Sequence, residues 1–270
     1  MKEAFLANLS VHLTFFRRNR LVVLVGLFLV FIWGTTLIPS LFFISSRDKF
    51  QLIKMLMEQS HWFVMVFVAA LAIMTLSYNF NQRCFKMVIT KPCPPEVWLL
   101  ALYAAVMLVA AVLYALVTAA ALILFGVWHI PLQWGVLYLF GESLLQVAVI
   151  VSILSFLVTV MHPFMAVILM GLANESTFYG LLVMLSAAVS HASEPWARFW
   201  CKAANVVTYG FYLAVPSYSL FEKKVEKLHS SLRMGWGDLQ WLGLSLLYTL
   251  LVASLFFALT ALALRRRRHT

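Results

Sequence analysis

The sequence predicts an all-α, polytopic membrane protein that forms one transmembrane domain over residues 1–270, with six transmembrane helices. Three observations predict this fold. The chain is 63% hydrophobic and 11% charged, with a mean hydropathy of +0.93, which leaves too little polar surface for a soluble domain. Six apolar runs reach the roughly 20 residues that a helix needs to cross a bilayer. Clusters of basic residues flank the first and the last run.

The six predicted spans follow the apolar runs. The first run is too long for the hydrophobic region of a signal peptide and lacks a convincing small-residue cleavage site, so we expect it to remain as a span. The spans cover approximately residues 21–44, 62–80, 97–127, 134–161, 164–190 and 239–264.

The basic clusters predict the orientation. Arg17, Arg18 and Arg20 precede the first span, and residues 265–268 are four arginines after the last. Because Lys and Arg collect on the cytoplasmic side, both termini are predicted to be cytoplasmic and the number of spans to be even. The net charge of +10 then reflects orientation and anionic lipid rather than a nucleic-acid partner. We expect a multi-pass protein of the inner (plasma) membrane.

The region 191–238 is predicted to be external, and its apolar part, 203–221, is nearly long enough to cross the membrane. A seventh span there would place the terminal arginines outside, against the charge rule. The segment also contains Asn205, Gly210 and Pro216, and irregular backbone at membrane depth needs protein or water around it. We therefore predict a re-entrant or interfacial element, with a spanning helix as the alternative.

The N-terminus, residues 1–18, has its own periodicity. Apolar side chains recur at steps of three and four residues, which predicts an amphipathic helix along the inner membrane surface. The alternative is a cytoplasmic extension of the first span. The apolar positions are Phe5, Leu6, Leu9, Leu13 and Phe16.

A charged island, 79–96, separates two long apolar segments. It reads NFNQRCFKMVITKPCPPE, with three prolines in its second half. Charged residues would set the orientation of a soluble partner and Phe85 would be a buried anchor; the alternative is an ordinary solvated loop. With His162 of the next turn on the same side, the candidate docking residues are Arg83, Phe85, Lys86, Lys91, Pro92, Glu96 and His162.

Four polar residues lie within the fourth and fifth spans: Glu142, Gln146, Asn174 and Glu175. A carboxylate at the bilayer centre costs about 2.5–3.5 kcal/mol, so such groups normally face protein or water. They could line a translocation path or a dimer seam, or they could be hydrogen-bonded clamps between helices. Glu142, near the outer end of its span, could also reach the membrane interface.

The sequence contains no pattern typical of catalysis or metal binding. The seven histidines are scattered, and none pairs at HxxxH spacing. No GxSxG nucleophile motif is present, and no aspartate cluster could hold magnesium. The three cysteines are predicted to be free thiols. We predict no catalytic residue and no metal site.

Several short motifs resemble a known family. They are KMVITKP at 86–92, EVWLL at 96–100, PSYSLFE at 216–222, and the final apolar helix closed by arginines. Together with the topology they are similar to the permeases of the type-two exporter superfamily of ABC transporters. The first half of the loop departs from that pattern, because Asn81, Gln82, Arg83 and Cys84 replace its acidic and glycine positions.

The resemblance implies a two-part machine. A permease of this type pairs with a second copy or a homologue in the membrane, and cytoplasmic ABC ATPase subunits grip the loop 79–96. This chain has no GxxxxGK[ST] phosphate loop, so it is expected to be non-catalytic and to carry no cofactor, while ATP and magnesium belong to the ATPase. Membrane lipids are the other expected partner. The alternatives are a non-transporting scaffold or sensor and, third, a lipid-modifying enzyme that depends on Glu142, Glu175 or a histidine.

Overall fold

The computed structural model describes residues 2–18, 20, 23, 25–31, 33–35, 46–81, 94–131, 135–172, 175–215, 221 and 236–269. The secondary structure within these ranges is helical, without strands, which confirms the all-α prediction for this part of the chain. The main helices are α1 (Lys2–Arg18), α2 (Ser46–Asn81), α3 (Pro95–Val127), α4 (Gly135–Val160), α5 (Pro163–Leu172), α6 (Glu175–His191), α7 (Pro195–Ala214) and α8 (Trp236–His269).

Four of the described helices are long and apolar enough to cross a membrane. They are Lys49–Ser77 of α2, α3, α4 and Leu239–Arg266 of α8. The pair α5 and α6 counts as a fifth if the two form one span. Several long apolar helices support a multi-pass membrane protein, but the described residues give four or five spans where the sequence predicted six. The predicted first span, 21–44, lies largely outside them, apart from a short helical run, Val25–Thr35.

Two predicted spans differ from the observed helices. The second was expected at 62–80, whereas α2 runs unbroken over 36 residues from Ser46, about 54 Å at 1.5 Å per residue. The fifth was expected as one helix over 164–190, but α5 and α6 meet at a bend of 51°. Glu175 lies in the first turn of α6, where the helix dipole stabilises a carboxylate. Glu175 therefore lies at the start of a helix and not in the middle of a single long helix.

Helix α4 lies at the centre of the bundle and packs against α2, α3, α5 and α8. Its most extensive partner is α8. Buried hydroxyl groups occur on both helices, and those of Ser152, Ser155 and Thr159 each donate to the carbonyl four residues earlier at 2.7 Å. Small hydroxyl side chains satisfied in this way let two membrane helices approach closely. On α8 the buried hydroxyl residues are Ser245, Thr249 and Thr260.

Contacts between distant residues show that successive long helices alternate in direction. Glu96 at the start of α3 contacts Arg265 near the end of α8. Further along, the Tyr103 hydroxyl donates to the carbonyl of Ser152 at 3.3 Å, and its ring lies 5.8 Å from that of Phe257. Phe50 and His61 of α2 contact Phe125 and Tyr114 of α3, which shows that α2 and α3 are antiparallel. The ends of α2, α4 and α8 and the start of α3 therefore share one end of the bundle. We call it the basic end, after Arg265 and Arg266 of α8.

Helix α1 packs against the start of α3, at the basic end. His12 and Phe16 are its buried residues. It ends at Arg18, and Arg20 adopts a left-handed φ of 51° with its amide bonded to the carbonyl of Arg17. A left-handed residue interrupts an α-helix. This break favours a separate N-terminal helix over an extension of the first span.

Helices α6 and α7 form a hairpin whose main contact is with each other. The rings of Phe178 and Phe211 stack between them at 6.1 Å. Asn205 and Thr208 of α7 are half-buried, and both helices of the hairpin leave large apolar side chains exposed. In a membrane protein such an outer face suits lipid. The exposed side chains include Met184, Trp196, Phe199, Trp200, Val206 and Leu213.

The predicted re-entrant segment 203–221 is described only at its two ends, because residues 216–220 lie outside the described residues. Its first part is the second half of α7, which is not among the described helices that qualify as spans. At its other end Phe221 is fully buried, and its ring lies 6.3 Å from that of Tyr248 on α8. It packs in a cluster with Val149 and Ile153 of α4. The chain therefore returns from the hairpin to the bundle core at Phe221.

Candidate functional site

At the basic end, Glu96, the last residue of the predicted docking loop, contacts the last helix, α8. Helix α3 begins at Pro95, a favoured first-turn residue because it needs no hydrogen bond there. Glu96 follows in the same turn, and its Oε1 accepts a hydrogen bond from Nε of Arg265 at 2.5 Å. The side chains of Glu96 and Arg265 are 27% and 62% exposed. This ion pair joins α8 to the loop's end.

Of the seven predicted docking residues, two are described. Glu96 and His162 both lie at the basic end, since His162 occupies the turn between α4 and α5. Its ring is exposed, and Nδ1 accepts the backbone N–H of Phe164 at 3.3 Å, which satisfies one free amide at the start of α5. The other five lie outside the described residues: Arg83, Phe85, Lys86, Lys91 and Pro92.

The contact between α1 and α3 centres on a buried histidine. The ring of His12 meets the ring of Trp98 edge to face at 5.5 Å. Among the described residues Nε2 of His12 has no hydrogen-bond partner. Burial lowers the pKa of His12 to about 4, because a charged imidazole would lose its hydration without gaining a counter-charge. Docking of α1 therefore favours the neutral ring.

A polar cluster joins α2, α3 and α4 at some distance from the basic end. His61 of α2 lies between Gln146 of α4, with Nε2 3.0 Å from Oε1, and Tyr114 of α3, with Nδ1 2.9 Å from the hydroxyl. An amide oxygen can only accept, so in the neutral ring the hydrogen lies on Nε2, and Nδ1 accepts from Tyr114. Three apolar helices are thus linked through one imidazole.

Glu142 lies one turn before Gln146 but in a different environment. It is completely buried, so the expectation that it could reach the membrane interface is wrong. The hydroxyl of Tyr138, one turn earlier, donates to its Oε1 at 2.8 Å. The tight packing of α4 inside the bundle, which encloses the whole carboxyl group, explains the difference. No contact among the described residues indicates that Glu142 lines a translocation path.

Two cavities adjoin the polar cluster. The larger, of about 660 Å³, lies between α2, α3 and α4, with His61, Tyr114 and Gln146 in its wall. The smaller, of about 380 Å³, lies between α2, α4 and α5. Trp62 and Gln146 line both. Among the three predicted intramembrane residues that the structure describes, Gln146 alone both bridges helices and lines these two cavities.

Glu175 has a separate partner. It starts α6, and its Oε1 accepts a hydrogen bond from the hydroxyl of Tyr212 at the end of α7, at 3.1 Å. This contact matches the predicted clamp between helices and does not place Glu175 with Glu142 or Gln146. Asn174 lies outside the described residues. Among the described residues, no three His, Cys, Asp or Glu side chains are grouped so that they could hold a metal ion.

The sequence reasoning missed His61 and Tyr114. Both lie in apolar helices far from Gln146 along the chain, and no spacing motif connects them. The available signal was weaker: each is a polar side chain inside a long apolar run, and such groups need a partner. The hydrogen bond from Nε1 of Trp33 to Oγ of Ser60, at 2.6 Å, was missed in the same way.

Comparison of the chain with models of protein families, with curated proteins and with solved structures found no match. The functional reading therefore depends on the sequence motifs and on the contacts described above.

Proposed function

We propose that the chain is the transmembrane permease subunit of an ATP-binding-cassette exporter of the inner membrane. Separate cytoplasmic ATPase subunits drive it through the loop 79–96, and a second permease copy or a homologue completes the membrane unit. In this proposal the basic end is cytoplasmic, and six spans are reached by adding a first span within 21–44 and counting α5 and α6 as one.

The observation that carries the proposal is the ion pair of Glu96 and Arg265. The loop 79–96 starts at the end of α2 and finishes in the first turn of α3, so a force on it acts on both helices directly. The ion pair adds α8 at the same end. A soluble motor that grips the loop would thus move three long helices together.

Two cavities within the bundle support a transport role. The cavities beside Gln146 and His61 lie between α2, α4 and neighbouring helices. Because α2 carries the loop at its end, displacement of the loop would shift α2 against α4 and change the larger cavity. Interfaces between packed helices move between discrete arrangements rather than deforming continuously.

The test is purification of the full chain from its native membrane together with bound subunits. We expect a subunit with a phosphate loop, and ATP hydrolysis by the complex. Lys86→Glu with Lys91→Glu should abolish this association while membrane insertion persists, because the charged loop orients the contact. Lys202→Glu, an exposed lysine on α7, is the matched control and should leave the complex intact.

A stable chain that never carries an ATPase would contradict the proposal. So would a complex in which the Lys86→Glu, Lys91→Glu variant retains full ATP hydrolysis. A scaffold or sensor would retain its partners in both variants and would show no dependence on nucleotide.

A further inference from the structure

Helix α1 packs its apolar face on protein, mainly on the start of α3. Phe16 belongs to the main core cluster of the bundle and is 1% exposed, and Leu9 and Leu13 pack against that cluster. The side of α1 that faces away from the bundle is mostly polar and includes Ser10 and Thr14. Protein therefore covers a face whose apolar periodicity is equally suited to the surface of a membrane.

The contact between α1 and α3 contains an unsatisfied polar group. His12 is 4% exposed, and within the described part of the chain its Nε2 has no hydrogen-bond partner, although the ring meets that of Trp98. A buried polar atom without a partner is unfavourable, because it has lost its hydrogen bonds to water. Since α3 is the main contact of α1, this imperfect interface determines how firmly α1 is held.

Three exposed arginines follow the docked face. Arg17 and Arg18 form the last turn of α1, and Arg20 comes next with a left-handed φ of 51°. Glu3, the acid of α1, lies at the opposite end of the helix. Each cation close to an anionic membrane surface adds to the attraction. The charge at the end of α1 is therefore complementary to anionic phospholipid head groups and not to zwitterionic ones.

The apolar side chains of α1 cannot serve two contacts at once. An amphipathic helix with basic residues beside its apolar face binds an anionic membrane by inserting that face among the head groups. Insertion would use Leu9 and Phe16, which the bundle occupies while α1 is docked. The two positions of α1 therefore exclude each other, and a ligand that favours one of them shifts the population.

We infer that α1 binds anionic phospholipid and exchanges its contact with α3 for the membrane surface when such lipid is abundant. Release of α1 uncovers Trp98, which lies two residues beyond Glu96 and thus beside the end of the loop 79–96. The inference goes beyond the proposed function, because it concerns a property of this chain alone and requires no ATPase.

The experiment measures the distance between nitroxide labels at Val11→Cys of α1 and Leu100→Cys of α3 by pulsed electron paramagnetic resonance. Both side chains are exposed, and the three cysteines of the chain are replaced by serine. The purified full chain is compared at neutral pH in two kinds of nanodisc. One contains phosphatidylcholine alone, and the other contains equal parts of phosphatidylcholine and phosphatidylglycerol.

In phosphatidylcholine we expect the docked distance to dominate. In the mixture a second, longer distance should appear, and the ratio of released to docked α1 should rise roughly tenfold. High salt should reverse this shift, because it screens the attraction. Soluble glycerophosphoglycerol, the head group without its chains, should leave the distance unchanged. The label at Val11 should become accessible to oxygen, which dissolves in the membrane, rather than to an aqueous nickel chelate.

Two variants separate the charge from the docked face. Arg17→Gln with Arg18→Gln should remove the response to phosphatidylglycerol, because it deletes two exposed cations and leaves the apolar face intact. Arg198→Gln with Lys202→Gln deletes two exposed cations of α7; it is the matched control and should respond like the wild-type protein. His12→Phe should keep α1 docked in both lipids, because the ring contact remains and the unpaired nitrogen is removed.

Identical distance distributions in the two lipids would overturn the inference, as would an unchanged response in the Arg17→Gln, Arg18→Gln variant. A released α1 whose Val11 label reacts with the aqueous chelate and not with oxygen would also contradict it, because α1 would have left α3 without entering the membrane surface. These samples contain no ATPase, so failure of the proposed function would leave every one of these results unchanged.

Discussion

Glu96, in the first turn of α3, holds Arg265, near the end of α8, across 169 residues of sequence. The contact lies where the chain leaves the loop 79–96 and enters the bundle. Both side chains are partly exposed, and exposed ion pairs contribute only about 0–1 kcal/mol to stability. Its proposed importance is mechanical: it ties the last helix to the segment that a motor would move.

Removal of this ion pair should affect coupling more than stability. Glu96→Gln is expected to change the free energy of unfolding by at most about 1 kcal/mol and to lower permease-dependent ATP hydrolysis, because α8 no longer follows the loop. The exchange Glu96→Arg with Arg265→Glu should restore part of the activity. Glu3→Gln, at an exposed acid of α1, should have no effect. Unchanged ATP hydrolysis in Glu96→Gln would show that the ion pair does not couple the movement of α8 to the loop.

The imidazole of His61 should contribute to bundle stability through Gln146. A double-mutant cycle with His61→Leu and Gln146→Leu, measured by unfolding in mixed micelles, is expected to give a coupling energy of about 0.5–2 kcal/mol, the range for hydrogen bonds between membrane helices. A cycle of Gln146 with the exposed His129, which lies beyond the end of α3, should give a value near zero. Equal coupling energies in the two cycles would contradict the claim that the hydrogen bond between His61 and Gln146 stabilises the bundle.

Acidification should weaken the docking of α1. The docked His12 has a pKa of about 4, against 6.5 for the free side chain. Between these values undocked α1 binds a proton and docked α1 does not. Docking stability is therefore full above pH 6.5 and falls as the pH drops toward 4, by on the order of 3 kcal/mol in total.

Amide hydrogen exchange of α1, corrected for the intrinsic effect of pH, measures this change in nanodiscs. Protection of α1 should decrease between pH 7 and pH 5, while α4 stays protected. His12→Phe preserves the edge-to-face contact with Trp98 and cannot be protonated, so its α1 should keep the same protection at both pH values. A wild-type protein with pH-independent protection would rule out this role for His12.

The hydrogen bond from Tyr212 to Glu175 should hold the ends of α6 and α7 together. Tyr212→Phe removes only the hydroxyl, and we expect faster hydrogen exchange in the last turns of α7, because the hydrogen bond to Glu175 is lost. Tyr209→Phe is the matched control, because Tyr209 is exposed and stacks on Tyr212 at 6.2 Å. If both variants exchange alike, the hydroxyl of Tyr212 is not the clamp.

The long uninterrupted apolar runs were predictable from the sequence. The span predicted at 97–127 corresponds to α3, Pro95–Val127, and the one predicted at 134–161 corresponds to α4, Gly135–Val160. Prolines or short polar turns bound these runs, so composition and length decide where the helices end. No such boundary marks the start of α2 at Ser46, because the residues before Trp62 mix charges with apolar side chains and continue the same helix.

The polar contacts were less predictable, because they depend on which helices become neighbours. Gln146 stood out as a polar residue within a span, but its partner His61 lies 85 residues earlier and its second neighbour, Tyr114, is on a third helix. Burial of Glu142 depends likewise on the central position of α4. A single sequence without a spacing motif does not encode such neighbours in a readable pattern.

The most direct test of the proposed function is a photocrosslink from the loop 79–96 in intact cells. Phe85→p-benzoylphenylalanine should crosslink to one protein that contains a phosphate loop and hydrolyses ATP, and the yield should change when ATP binding is blocked. The same substitution at the exposed Trp196 of α7 should give no such product. If the loop crosslinks to no ATPase, or if an ATPase is captured equally from position 196, the proposal that ATPase subunits bind the loop 79–96 is contradicted.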